Sequence, residues 1–277
     1  MLTCFDIYVN SQFQHMKNKG FFLIQELQRT GRPVFTVAEA ESLLKISRPS
    51  VMAMLARLRR DQLVVTLTNG LYAILQPTEQ THGLRPLRVL DVLMKHLKAG
   101  YYVGLLSAAN HWGAAHHKPQ ILQVITEQRH FLKRLETLKM RFLLKKHFSE
   151  VGVISAKTSF GYHKVSSPEL TALDVIRYEN ASGGFNNVCL VVRALIEEMK
   201  EKLLIDCCAN YGTMPSVQRL GYMMENYKAP KKLLNTLKKW VQHQQPLPIP
   251  LFAKGRRKGP VHKDWLVIKN AELEFEE

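Results

Sequence analysis

The stretch "SRPSVMAMLARLRR", residues 47–60, decides the reading of the fold, because it describes a helix with two different faces. Ser47 is a natural N-cap, and Pro49 sits in the first turn, where a missing N–H needs no partner. Val51, Met54, Leu55 and Leu58 recur at i, i+3, i+4 and i+7 and form one apolar stripe. At roughly 100° per residue the opposite side collects Pro49, Ser50, Ala53, Ala56, Arg57 and Arg60. Small residues near a helix N-terminus admit close approach to base edges, and arginine bonds guanine or phosphate. An ordinary solvated helix carries the same pattern, so the flanking sequence has to decide.

On the C-terminal side, "LVVTLTNGLYAIL" (residues 63–75) is two strand-like runs joined by Asn69-Gly70, a strong hairpin signal. On the N-terminal side, "FTVAEAESLLK" (residues 35–45) opens with Thr36 followed three residues later by Glu39, a capping box, and predicts a two-turn helix. Before it, "NKGFFLIQELQRT" places Phe21, Leu23, Ile24 and Leu27 at helical spacing, with Gly31 as the stop. Three helices followed by a β-hairpin is the order of a winged helix-turn-helix. It is expected over residues 17–76, within an N-terminal domain of residues 1–76. In that arrangement the third helix enters the major groove, the second crosses the backbone and the hairpin lies near phosphate. The candidate DNA-binding residues are Thr36, Ser47, Arg48, Ser50, Ala53, Arg57, Arg60, Thr68 and Asn69.

Composition agrees with a polyanionic partner. The 277 residues hold 39 Lys and Arg against 23 Asp and Glu, a formal charge of +16, with 46% hydrophobic residues to supply a core. Such an excess favours nucleic acid ahead of an anionic membrane. Its distribution is uneven: +3 over residues 1–80, +8 over 81–180 and +5 over 181–277. The reading domain is thus the least basic part. The four cysteines, Cys4, Cys189, Cys207 and Cys208, form no C-x-x-C pair and read as free thiols in a reducing compartment. The first twenty residues lack a signal-peptide core, and the best apolar run, "VCLVVRALI", is interrupted by Arg193. The expectation is a cytoplasmic protein with no membrane partner.

Beyond the hairpin, residues 77–88 read as a linker rich in proline and polar residues. An α/β domain is expected over residues 89–225, so the fold class is α+β. "PLRVLDVLMKHLKAG" and "YYVGLLSAANHWG" read as helices and "QILQVIT" as a strand. "HFLKRLETLKMRFLLKK" suits one helix or two strands. "FGYHKVSSPELTALDVIRYE" gives a strand, an N-cap at Ser166 or Ser167, and a helix. Residues 226–277 form a basic helix and C-terminal extension, with ten Lys or Arg and no Asp or Glu between Asn226 and Lys263. Lys231, Lys232, Lys238, Lys239, Arg256, Arg257 and Lys258 are the candidate phosphate contacts. A solvated amphipathic helix explains the same residues.

"YYVGLLSAANHWG", the strand after Pro119, and "KVSSPELTALDVIRYENASGG" resemble the AbiEi family of antitoxins over roughly residues 17–200. "VSSPELTALDVI" is the most specific element. The resemblance implies an N-terminal winged helix and an α/β C-terminal domain carrying the antitoxin role. It also implies repression of the protein's own operon through inverted repeats in double-stranded promoter DNA. The companion would be a nucleotidyltransferase-type toxin, opposed functionally and not necessarily by direct contact.

Other chemistry is weakly signalled. His111, His116 and His117 lie near Trp112, but no carboxylate or cysteine stands at a ligand spacing, so no metal and no cofactor are expected. "NASGGFNN" lacks the lysine and Ser/Thr of a phosphate loop and reads as a connection. Two alternatives to a non-enzymatic antitoxin stay open. One is a ligand-responsive winged-helix repressor with no toxin partner. The other is a metal-dependent nuclease using Asp174, Glu198 and Lys200, although these fall in helical patterns and two-metal chemistry needs converging carboxylates.

Overall fold

A computed structural model describes residues 19–115, 117–128, 138–158 and 161–275. The fold is mixed α+β and divides into two compact units, residues 1–98 with 133–139, and residues 99–132 with 140–277.

In the first unit, residues 19–29 form helix α1. It buries Leu23, Ile24 and Leu27, while Phe21, expected on the same face, is 62% exposed. The inner position one turn before Leu23 and Ile24 is held instead by Gly20. A Cβ there would stand 3.3 Å from Leu58 Cδ2, so the helix approaches through the glycine and turns Phe21 outward. Strand β1 (Val34–Thr36) leads into α2 (Val37–Leu44), whose cap is the Thr36–Glu39 capping box. Helix α3 (Arg48–Arg60) buries Val51, Met54, Leu55 and Leu58, the stripe read from its spacing. Strands β2 (Val64–Thr68) and β3 (Leu71–Ile74) form the hairpin, with Gly70 at φ 76° in the turn. The sheet order is β1-β3-β2, all antiparallel. β1 was not legible: three residues are too few to display a period of two.

The stretch read as a linker, residues 77–88, contains α4 (Pro77–His82) and a 3₁₀ turn at Pro86–Arg88. Glu79 is buried and forms an ion pair with buried Arg88. It also accepts from the backbone N–H of Gln76 and Arg85, and Arg88 donates to the Ile74 carbonyl at 2.6 Å. Two prolines and a glycine punctuate the segment, but a satisfied buried charge pair fixes it to β3. Helix α5 (Leu90–His96) completes the unit.

The second unit is built on a five-stranded mixed sheet, β6-β5-β4-β8-β7. Its strands are β4 (Tyr101–Val103), β5 (Leu122–Thr126), β6 (Met140–Leu144), β7 (Val153–Thr158) and β8 (Gly161–Ser166). "YYVGLLSAANHWG" therefore splits into β4 and α6 (Leu105–His111), not one helix. The break is Gly104, where a Cβ would lie 2.8 Å from Ile125 Cγ1; ahead of it, all three β4 residues are buried between β5 and β8. Of "HFLKRLETLKMRFLLKK", residues 140–144 form β6, and residues 130–137 lie outside the described residues.

Helix α7 (Pro168–Arg177) is the hub. Every residue from Pro168 to Ile176 is buried, against α6, α8 (Phe185–Leu195), α9 (Glu201–Asn210) and α10 (Met214–Asn226). Ser167, one of the two expected caps, accepts from the Leu170 N–H. Part of the stretch assigned to a basic extension packs into this unit's core. α11 (Lys231–His243) buries Leu233, Leu237 and Val241 against α9 and α10. Beyond it β9 (Ile249–Pro250), β10 (Val261–His262) and β11 (Val267–Ile268) form a small sheet. Gln218 of α10 donates to the Leu247 and Trp265 carbonyls at 3.0 Å, and Gly221 makes room for the buried Trp265 ring.

Candidate nucleic-acid interface

α3 is held from below by its apolar stripe, which fixes the direction of its other side. Arg48, Ala53, Ala56, Arg59 and Arg60 are exposed, and Ser50 and Arg57 are half-buried. Ser47 occupies the N-cap with extended backbone, but its hydroxyl makes no capping bond. Instead it lies 3.0 Å from the Ser50 hydroxyl. Arg48 faces Glu41 of α2 at 3.6 Å, and Arg60 faces Asp61 at 3.8 Å. Both pairs are exposed and weak, so both guanidinium groups can exchange partners.

Two sequence assignments change with the geometry. The Thr36 hydroxyl accepts from the Glu39 N–H at 3.2 Å, while Glu39 accepts from the Thr36 N–H at 2.7 Å. Thr36 is thus occupied by capping α2, and Arg32 pairs with the same carboxylate. Partial burial works to raise the Glu39 pKa, but the Thr36 N–H, the Thr36 hydroxyl and Arg32 outweigh it and hold it low. The second change adds a residue. Arg59 is exposed and donates to Thr66 of β2 at 3.3 Å, so it bridges α3 and the hairpin. A helical wheel drawn on α3 alone contains no signal for this, because β2 is not on the wheel. At the hairpin tip Asn69 is exposed and Thr68 half-buried, next to an irregularity in the register between Thr66 and Thr68.

In the second unit, Lys231, Lys232 and Lys239 are exposed on α11, and Arg256, Arg257 and Lys258 are exposed between β9 and β10. Two of the candidates are partnered within the chain: Lys232 with Glu201 at 2.9 Å and Lys238 with Asp264.

The nuclease constellation is not assembled. Asp174 is fully buried in α7, whereas Glu198 and Lys200 are exposed. Asp174 instead organises a closed cluster. It accepts from Tyr102 at 2.8 Å, Tyr211 at 2.8 Å and Lys145 at 3.2 Å, and Lys145 also donates to the Tyr102 oxygen at 2.9 Å. The Lys145 ammonium lies 4.2 Å from the centre of the Tyr211 ring, a cation–π distance. Burial pulls the Lys145 pKa down, and the Asp174 charge opposes this without cancelling it. Burial first, then Asp174, pushes the two tyrosine hydroxyls up, so both remain protonated donors. Cys207, buried beside Glu169, is pushed up to about 12 mainly by burial, so it is an inert thiol. Metal-type donors come together, among the described residues, at Glu225, His262 and Asp264. His116 lies outside the described residues.

The chain is thus a two-unit α+β protein whose second unit centres on the buried helix "PELTALDVIR". Residues 102–226 match the family model of the AbiEi antitoxin C-terminal domain, so this part of the chain is similar to that domain. No curated protein matches the sequence. Among solved structures, the crystal structure of the RV2827C protein from Mycobacterium tuberculosis is similar, with a TM-score of 0.64. The two are 14% identical and the match covers 90% of each chain, a likeness of fold. Among the described residues, no helix is long and apolar enough to cross a membrane.

Proposed function

We propose that the chain is a cytoplasmic, non-enzymatic, DNA-binding antitoxin that represses its own operon and counters a nucleotidyltransferase-type toxin. The first unit then acts as a winged helix-turn-helix, with α3 in the major groove, α2 across the backbone and β2–β3 as the wing. The observation that carries this reading is the two-sided α3. A buried Val51–Met54–Leu55–Leu58 stripe presents Ala53 and Ala56 outward beside Arg57 and Arg60. Small exposed side chains let a helix seat deeply, and flanking arginines supply base or phosphate contacts. The AbiEi match of residues 102–226 supports the antitoxin half of the proposal.

The test is fluorescence anisotropy with the protein's own upstream DNA and a scrambled duplex across a salt series. A preference for the upstream DNA that survives rising salt supports base readout. Equal binding with a steep salt slope reduces the protein to a phosphate binder. Arg57→Ala and Arg60→Ala are each expected to weaken binding to the upstream duplex by about 1–3 kcal/mol where the side chain contacts guanine. Unchanged affinity in both variants removes α3 from the interface.

A further inference from the structure

Glu225 lies in the last turn of α10, and His262 and Asp264 flank the turn that leads from β10 to Trp265. Each offers a ligand atom, and these atoms all lie within 4.8 Å of one another. The three side chains are half-buried. His262 Nε2 stands 3.9 Å from Glu225 Oε2. That is too long for a hydrogen bond. Two ligands of one tetrahedral ion with bonds of about 2.0–2.2 Å stand roughly 3.4 Å apart, so binding would draw this pair slightly closer.

Two further observations set this group apart from a chance meeting of polar residues. His262 Nδ1 is buried with no hydrogen-bond partner, so the imidazole is oriented by packing, edge-on to Tyr222 at 5.4 Å between centroids. Nε2, the nitrogen that faces Glu225, is the one open to an ion. The carboxylates, in contrast, are contacted from outside the group. The Trp265 indole N–H donates to Glu225 Oε2 and orients that carboxylate, whereas the Lys238 ammonium contacts Asp264 Oδ2 as a rival cation. Each carboxylate keeps a second oxygen.

We infer that Glu225, His262 and Asp264 bind a borderline divalent transition-metal ion such as zinc, with the Lys238 ammonium as its competitor for Asp264. The imidazole selects such ions over magnesium or calcium. Three protein ligands leave the remaining position to water. The bound ion ties the end of α10 to the β9–β11 sheet, joining Glu225 to residues 37 and 39 positions further along the sequence.

The experiment uses the full chain, stripped with a chelator and titrated with zinc chloride by calorimetry, with cobalt(II) absorption as the spectroscopic probe. The expected result is a saturable isotherm with one ion per chain. His262→Gln is expected to weaken binding at least about 10-fold, since disturbing even an outer-shell partner has that effect. Lys238→Met keeps all three ligands and is expected to tighten binding by removing the cation that competes for Asp264. An absence of saturable binding in the parent chain overturns the inference. So does zinc binding that persists unchanged in His262→Gln, which would place the ion on other members of the chain's 11 histidines. If His262→Gln does not fold, Lys238→Met decides: tighter binding supports the site, and unchanged or weaker binding overturns it.

Discussion

The Asp174 carboxyl group has no exposure at all, and three side-chain donors, Tyr102, Tyr211 and Lys145, converge on it. Removing one member of a buried charge pair leaves the other unpaired in a medium that solvates it poorly. Asp174→Leu should therefore lower the unfolding free energy by about 3–5 kcal/mol. Replacing both charges, as Lys145→Met with Asp174→Leu, removes both desolvation penalties and should cost clearly less than the sum of the single changes. Tyr211 keeps a partner in the double variant, the Leu173 carbonyl at 2.9 Å. Urea unfolding of the four proteins measures the coupling, and additive losses would show that the pair is not one unit. Glu39 gives a residue-scale pH effect of opposite location and clear sign. Its folded pKa lies below its unfolded value because Thr36 and Arg32 outweigh the effect of burial. Its contribution to stability is thus present above the unfolded pKa, about 4.3, and is lost as pH falls through the lower folded value. Glu39→Gln is expected to be less stable than the parent near neutral pH, with the gap closing in acid. A gap that widens on acidification contradicts the assignment.

At the level of elements, α11 separates what charge suggests from what packing does. Its lysines make it read as a tail, yet Leu233, Leu237 and Val241 stand at i, i+4 and i+8 and all point into the core. Leu237→Ala should cost about 2–5 kcal/mol by urea unfolding, the range for a fully buried leucine; a loss within about 0.5 kcal/mol is what a solvated helix would give. The same contrast explains which elements sequence could reveal. α3, the β2–β3 hairpin and the capped α2 and α7 carry local signals: a 3.6-residue stripe, Asn69-Gly70, Thr36 with Glu39, and Ser167 with Pro168. β1 and β4 have three residues each and exist because neighbouring strands pair with them, so their cause lies elsewhere in the chain. The Asp174 cluster was hidden for the same reason, since its members come from β4, α7, α9's end and the residue after β6. Arg59 was missed because its partner Thr66 belongs to another element.

At the scale of the whole molecule the question is where the +16 charge acts. The residues up to 80 hold only +3 of it, which is little for a module that, on the proposed reading, would hold a phosphate backbone alone. Each phosphate neutralised by a lysine or arginine contributes about −0.9 to the slope of log affinity against log salt on duplex DNA. Charge on the second unit therefore has a measurable signature if it meets the same DNA. Arg256, Arg257 and Lys258 are suitable for the measurement because they are exposed, contiguous and remote from the buried Asp174 cluster in sequence. Replacing all three by serine should make the slope shallower by up to about 2.7 on the upstream duplex, with the discrimination against scrambled DNA retained. Discrimination should survive because phosphate contacts position a protein whereas base contacts specify the sequence. An unchanged slope would assign the +5 of residues 181–277 to a different anionic partner, and α3 with the hairpin would then have to account for the entire salt dependence.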